Sequence, residues 1–306
     1  MAAAAVTDGR QAQSLSTVAW WVLGYNIVVV LWGALVRATG SGAGCGEHWP
    51  LCNGSVVPAF PQYKTVIEFT HRLTSGLAFL SVAWLVWRMR KVLPAMHLAR
   101  RAGRWALVLM VNETLIGAAL VRFGLVAGSQ SPWRAVVLTI HLANTMLLLG
   151  SIALMAHWSN EVAPRWRAEG KVRTLFFIAV GLALLTAAFG GIAALGDTLF
   201  PASSVSAGVQ QEFAKDAHWI VRLRVFHPVI AIVTGLYFLY MVMTVPVGGT
   251  VRVIAGLTIS QFALGALNIV LLTPLWTQLA HLLLTDLLWV SLVLYGAELP
   301  AQLKKT

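Results

Sequence analysis

The chain has 306 residues, of which 58% are hydrophobic and 11% charged, with a mean hydropathy of +0.76. That excess of apolar residue goes beyond what a water-soluble core needs and excludes an ordinary globular domain. The net charge of +11 does not point to nucleic acid, because the basic residues sit in short segments between apolar runs, where they orient a membrane protein.

Windows of about 20 apolar residues fall near 17–36, 68–87, 105–121, 136–156, 174–195, 222–243, 252–272 and 277–296. They predict an all-α integral membrane protein with eight spans. Residues 1–16 carry an acid, Asp8, lack an Arg-rich amphipathic pattern and precede a full-length span. They therefore resemble neither a transit peptide nor a cleaved signal, and the first helix is expected to stay. The N-terminus, the even-numbered connections and the C-terminus fall on one side. They hold Arg10, Arg88, Arg90, Lys91, Arg100, Arg101, Arg104, Arg165, Arg167, Lys171, Arg173, Arg252, Lys304 and Lys305, which is 14 of the 22 Lys and Arg. The positive-inside rule makes that side cytoplasmic, with both termini inside.

The first external loop, from Arg37 to about Val66, contains both cysteines, Cys45 and Cys52, among glycines and a proline that favour tight turns. Their spacing suits a disulfide in an oxidising compartment, as a loop staple or as a redox-active pair. A metal site of Cys45, His48 and Cys52 lacks a fourth ligand nearby. Residues 88–104 and 157–173 read as basic connectors broken at Pro94 and Pro164, with His97 and His157 interfacial or solvated. Residues 196–220 form a second long external loop, in which His218 has no evident partner.

Ionisable groups inside membrane helices are costly and mark functional sites. Glu68-Phe69-Thr70-His71-Arg72 opens the second apolar run, and His141, His227 and His281 open the fourth, sixth and eighth at the same expected depth near the outer face. Helices one to four also repeat in helices five to eight. Trp32-Gly33-Ala34-Leu35 corresponds to Phe189-Gly190-Gly191-Ile192, and His71 to His227. Leu115-Ile116-Gly117-Ala118 corresponds to Ala263-Leu264-Gly265-Ala266, with Glu113 and Gln261 each four residues before the glycine. His141 to Thr145 corresponds to His281 to Thr285. Four helices per half imply parallel halves, so two pseudo-symmetric four-helix bundles are expected, over residues 1–160 and 161–306. Two imidazoles facing across such a bundle are a ready pair of axial ligands for heme iron. A proton relay, a multi-histidine metal site and a substrate channel are the competing uses; the two-bundle repeat argues against gathering all four at one metal.

The run from Trp32 to Cys45, then Trp49-Pro50-Leu51-Cys52-Asn53-Gly54, then Glu68-Phe69-Thr70-His71-Arg72 with Ser75-Gly76, resembles the signature of the heme A synthase (CtaA) family. His141, His227 and His281 also fall where that family has its histidines. The resemblance implies oxidation of the C8 methyl of heme O to the formyl group of heme A, for cytochrome oxidases, in a bacterial plasma membrane. It implies a resident heme b on His227 and His281, with His71 and His141 as ligands at the substrate heme site. It makes Glu68 the catalytic outer carboxylate and Cys45 and Cys52 the loop pair. Heme O synthase and a quinol or other electron donor are the implied partners, together with the lipid bilayer. The chain departs from the family in lacking the second cysteine pair that some members carry, and in having Pro228 after His227 where many have arginine, a charge that Arg222 or Arg224 could replace. The rival reading is a non-enzymatic diheme electron-transfer protein, for which Glu68 and the cysteine loop would be surplus. A prenyltransferase would need Asp-rich diphosphate motifs, and none is present.

Overall fold

The computed structural model describes residues 2–58, 62–161 and 165–300, and these are helical with no strand. In chain order the helices are α1 (Ala2–Ala38), α2 (Tyr63–Val92), α3 (Leu98–Arg122), α4 (Pro132–Ser159), α5 (Gly170–Leu199), α6 (Val205–Phe213), α7 (Trp219–Arg224), α8 (Phe226–Thr244), α9 (Thr250–Val270) and α10 (Leu275–Glu298). Each of the eight apolar windows lies on a helix. Among the described residues seven segments are long and apolar enough to cross a membrane, α7 and α8 counting as one run from Trp219 to Thr244. The protein is therefore a multi-pass membrane protein. Helix α2 spans 30 residues but is more polar, because Glu68, His71 and Arg72 lie near one end and Arg88, Arg90 and Lys91 at the other.

Local chemistry sets the boundaries. Leu93 is extended (φ −98°, ψ 150°) because it precedes Pro94, which disfavours the helical region for its neighbour. The helix breaks at Val225, between α7 and α8; Pro228 has no N–H to offer the Arg224 carbonyl one turn back. Pro164, Lys304 and Lys305 lie outside the described residues. His97, expected to be interfacial or solvated, is buried. Its Nδ1 accepts from Ala99 N at 3.2 Å as the cap of α3, and its Nε2 lies 2.8 Å from the Glu161 carbonyl. His157 stands 3.4 Å from Glu161 Oε1.

Helices α1 to α4 pack on one another, as do α5, α8, α9 and α10, and α4 with α5, α4 with α10 and α1 with α10 join the two sets. At that seam the Trp289 indole donates to the Met146 carbonyl at 2.5 Å. Arg37, in the last turn of α1, donates to the Ala194 carbonyl at 2.8 Å, Thr198 Oγ1 at 2.7 Å and Gln278 Oε1 at 2.9 Å. These bonds put the C-terminal ends of α1 and α5 beside the N-terminal end of α10. Arg122, at the end of α3, donates to the Glu47 carbonyl in the Cys45–Cys52 loop at 3.1 Å. All these ends therefore belong to one face, the disulfide end. Around the bundle, side chains such as Trp21, Leu236, Val270 and Met243 are exposed, an apolar belt suited to lipid and untenable in water.

Candidate functional site

The loop is built first by its disulfide. Cys45 and Cys52 are bonded, with Cα atoms 4.4 Å apart, so their sulfurs are not free to hold a metal with His48. Among the described residues no group of three or more His, Cys, Asp or Glu could hold a metal ion. Gly44 crosses the start of α2 so closely that a Cβ would sit 2.5 Å from the Lys64 carbonyl oxygen, which only glycine tolerates. Thr65 Oγ1 donates to the Gly44 carbonyl at 2.7 Å.

Glu68 and Arg72, one turn apart on α2, complete the attachment. Glu68 is 3% exposed; its Oε2 accepts from Cys45 N at 2.8 Å and its Oε1 from Arg72 Nη2 at 2.5 Å and Nε at 3.1 Å. Arg72 Nη1 reaches the carbonyls of His48 at 2.6 Å and Leu51 at 2.7 Å. The carboxylate is thus neither a solvated acid at a helix start nor an unengaged group. It binds the disulfide loop to the helix that carries His71.

The four histidines lie toward the disulfide end of α2, α4, α8 and α10. Of the glycines matched in sequence, Gly33 and Gly190 have like surroundings, whereas a Cβ on Gly265 would lie 3.4 Å from His281 Cε1 and one on Gly117 would meet nothing within 4 Å. A Cβ on Gly33 would lie 3.1 Å from His71 Cε1, and one on Gly190 would lie 3.0 Å from His227 Cε1. Each imidazole lies over the glycine of its own half, as the repeat requires. Thr145 Oγ1 and Thr285 Oγ1 each donate to the carbonyl of the histidine one turn earlier, His141 and His281, at 2.9 Å. Glu113 Oε1 accepts from Thr145 Oγ1, and its counterpart Gln261 donates to Thr285 Oγ1 at 2.5 Å.

The rings of His227 and His281 meet edge-on, with centroids 6.4 Å apart and planes at 86°. That spacing leaves room for a group held between the two rings, and His227 and His281 are the residues that would hold a heme there, where it would supply electron transfer. Nδ1 of His71, His141, His227 and His281 is buried and makes no hydrogen bond among the described residues. Buried Nδ1 atoms left this way call for an acceptor or solvent, while the Nε2 nitrogen of each ring is the one that would meet an iron, so the residue types present fit heme. His71 lies within electrostatic reach of His141 and Glu113.

Other expected groups have structural partners. His218 caps α7, its Nδ1 accepting from Ile220 N at 3.4 Å, and its ring stacks on Phe200 with centroids 4.8 Å apart. Arg224 is held by Asp197 at 2.9 Å and Glu212 at 2.8 Å, and Arg222 by the Lys215 carbonyl at 2.6 Å. Neither arginine is uncommitted. Sequence reasoning passed over Glu113 as anything but a repeat position, and passed over Arg37 and Asp286, which is 2% exposed on α10 with Oδ2 unpartnered. Glu113 and Asp286 are ionisable residues within apolar runs, the signal that identified His71, and Arg37 directly follows one.

Taken together, the fold and site define a polytopic helical membrane protein with paired histidines suited to heme. The chain belongs to the cytochrome oxidase assembly protein family (COX15-CtaA), which matches residues 16–293. It is 46% identical over 288 residues to a protoheme IX farnesyltransferase of Thermus thermophilus, covering 91% of this chain and 47% of that protein. It is 36% identical over 146 residues to heme A synthases of Bacillus mycoides and Bacillus cereus, covering 48% of this chain and 44% of theirs. The chain thus spans about half the length of the curated relatives it matches.

Proposed function

We propose that this chain is a heme A synthase, converting the C8 methyl of heme O into the formyl group of heme A. The observation that carries the reading is the pair of imidazoles from His227 and His281, with centroids 6.4 Å apart and planes nearly perpendicular, in one half of a repeat whose other half adds Glu113, Glu68 and a disulfide loop. In this reading residues 1–160 and 161–306 form two related four-helix bundles. His227 and His281 hold heme b, which with both axial positions filled supplies electron transfer. Oxidation of a methyl to a formyl group with water as the source of the oxygen releases four electrons and four protons, so the site needs such an exit.

His71 and His141 hold the substrate heme in the first half. Glu68 acts there as a positioning residue: through Cys45 N and Arg72 it fixes the loop over the mouth of the bundle. That is the role its contacts support for the carboxylate assigned to the site from the sequence. The farnesyltransferase name belongs to a protein of which this chain matches 47%. The four aspartates here, Asp8, Asp197, Asp216 and Asp286, are far apart in sequence and offer no paired carboxylates for a magnesium diphosphate. The relationship is better read as a link in chemistry: a heme farnesyltransferase, the heme O synthase, supplies the substrate, and a quinone or similar oxidised carrier takes electrons from the second half and leaves as the quinol.

The test is to supply heme O to the purified protein with an electron carrier, then extract the hemes and identify them by mass. Appearance of the formyl product supports the synthase. Heme O returned unchanged while both sites are filled would leave the diheme electron carrier.

A further inference from the structure

We infer that Glu113 is a positioning residue for His141 and sets the electronic character of the first-half site apart from that of the second. The inference rests on the heme reading above and adds a residue to it. Glu113 sits on α3 within the membrane span Leu98–Arg122, and its side chain is 19% exposed. Its Oε2 accepts from Asn144 Nδ2 at 2.5 Å and its Oε1 from Thr145 Oγ1. His141 Nδ1 stands 3.3 Å from the same Oε1, so a small ring rotation completes an N–H···O bond. Asn144 Nδ2 also donates to the Leu109 carbonyl at 2.9 Å, which fixes the amide that orients the carboxylate.

The second half has the same scaffold without the charge. Gln261 occupies the matching place on α9; its Nε2 donates to Thr285 Oγ1 at 2.5 Å and to the His281 carbonyl at 3.1 Å, and among the described residues no carboxylate pairs with the His281 ring. A carboxylate accepting from Nδ1–H settles the tautomer, leaves Nε2 as the free lone pair and makes it a stronger donor to a metal. It also places a negative charge beside any iron bound there, which favours the oxidised state. The histidine pairs of the two halves are therefore not equivalent: the first is built for a more oxidisable heme than the second.

The reciprocal exchange Glu113→Gln and Gln261→Glu tests this in the full chain. With His281→Ala present, so that only the first-half pair remains, ferric heme b is titrated in and its affinity and midpoint potential are read by absorbance. Glu113→Gln should weaken binding about 10–100-fold, the usual effect of removing such a partner, and move the potential positive. With His71→Ala present instead, Gln261→Glu should move the second-half potential negative. The second measurement stands even if Glu113→Gln folds poorly. Changes in thermal stability with both potentials unmoved would overturn the inference and leave Glu113 as a packing residue. If the first half of the parent chain takes up no heme, the heme reading fails with it, a result distinct from heme bound at an unchanged potential.

Discussion

Glu68 shows how a residue's place in the fold revises its chemistry. An acid one turn before His71 is in reach of the same site, yet its hydrogen bonds go to Cys45 N and to Arg72. Breaking a buried ion pair by removing one partner costs about 3 kcal/mol, because the remaining charge is left without compensation. Glu68→Gln retains an oxygen for Cys45 N and loses the pair with Arg72. We predict a lowered unfolding temperature and faster reduction of the Cys45–Cys52 disulfide by external thiol. Any loss of heme A output should follow the loop: Arg72→Gln should match it, since Arg72 also holds the His48 and Leu51 carbonyls. Full loop protection in Glu68→Gln together with lost turnover would instead return the carboxylate to the reaction itself.

Helix pairs impose a second kind of constraint. The α1–α2 and α5–α8 contacts each press an imidazole against a glycine, and a Cβ at 3.0 to 3.1 Å is tighter than ordinary packing allows. Overpacking of this kind costs about 1–3 kcal/mol, taken here largely as displacement of the ring. Gly190→Ala should therefore lower heme content in the second half and broaden its low-spin spectrum, while Gly33→Ala disturbs only the first. Equal spectra for both variants and the parent would show the rings to be free to move. These glycine–histidine pairs were legible as repeat positions, because Gly33 and Gly190 align together with His71 and His227. The apolar windows likewise fell on helices, since lipid demands runs that satisfy their own backbone. Less legible were α6, which lies outside any long apolar run, and the break that separates α7 from α8; both short helices start at caps, where Ser204 Oγ accepts from Ala207 N at 3.1 Å and His218 caps α7. The functions of Glu113 and Glu68 were hidden for a different reason, since each depends on which groups of other segments reach its carboxylate.

At the scale of the whole molecule, the basic residues divide into two populations. Of the 22 Lys and Arg, the six arginines toward the disulfide end, Arg37, Arg72, Arg122, Arg134, Arg222 and Arg224, all donate hydrogen bonds to carbonyls, carboxylates or amide oxygens of the fold. They are there to hold loops and helix ends together. The cluster Arg88, Arg90, Lys91, Arg100, Arg101 and Arg104 lies at the opposite end, around the α2–α3 connection, where charge can act on orientation. We therefore propose that the disulfide end faces outward and both termini face the cytoplasm. Cys45 and Cys52 are 0% and 1% exposed, so they are poor reporters of side even after reduction. Better ones are Val56→Cys in the loop and Met96→Cys in the α2–α3 connection, at positions 77% and 72% exposed. A membrane-impermeant maleimide should label Val56→Cys in intact cells and Met96→Cys only in inverted vesicles. The reverse pattern would turn the molecule over and place the four histidines near the inner leaflet, so that heme would have to reach them from the cytoplasmic side.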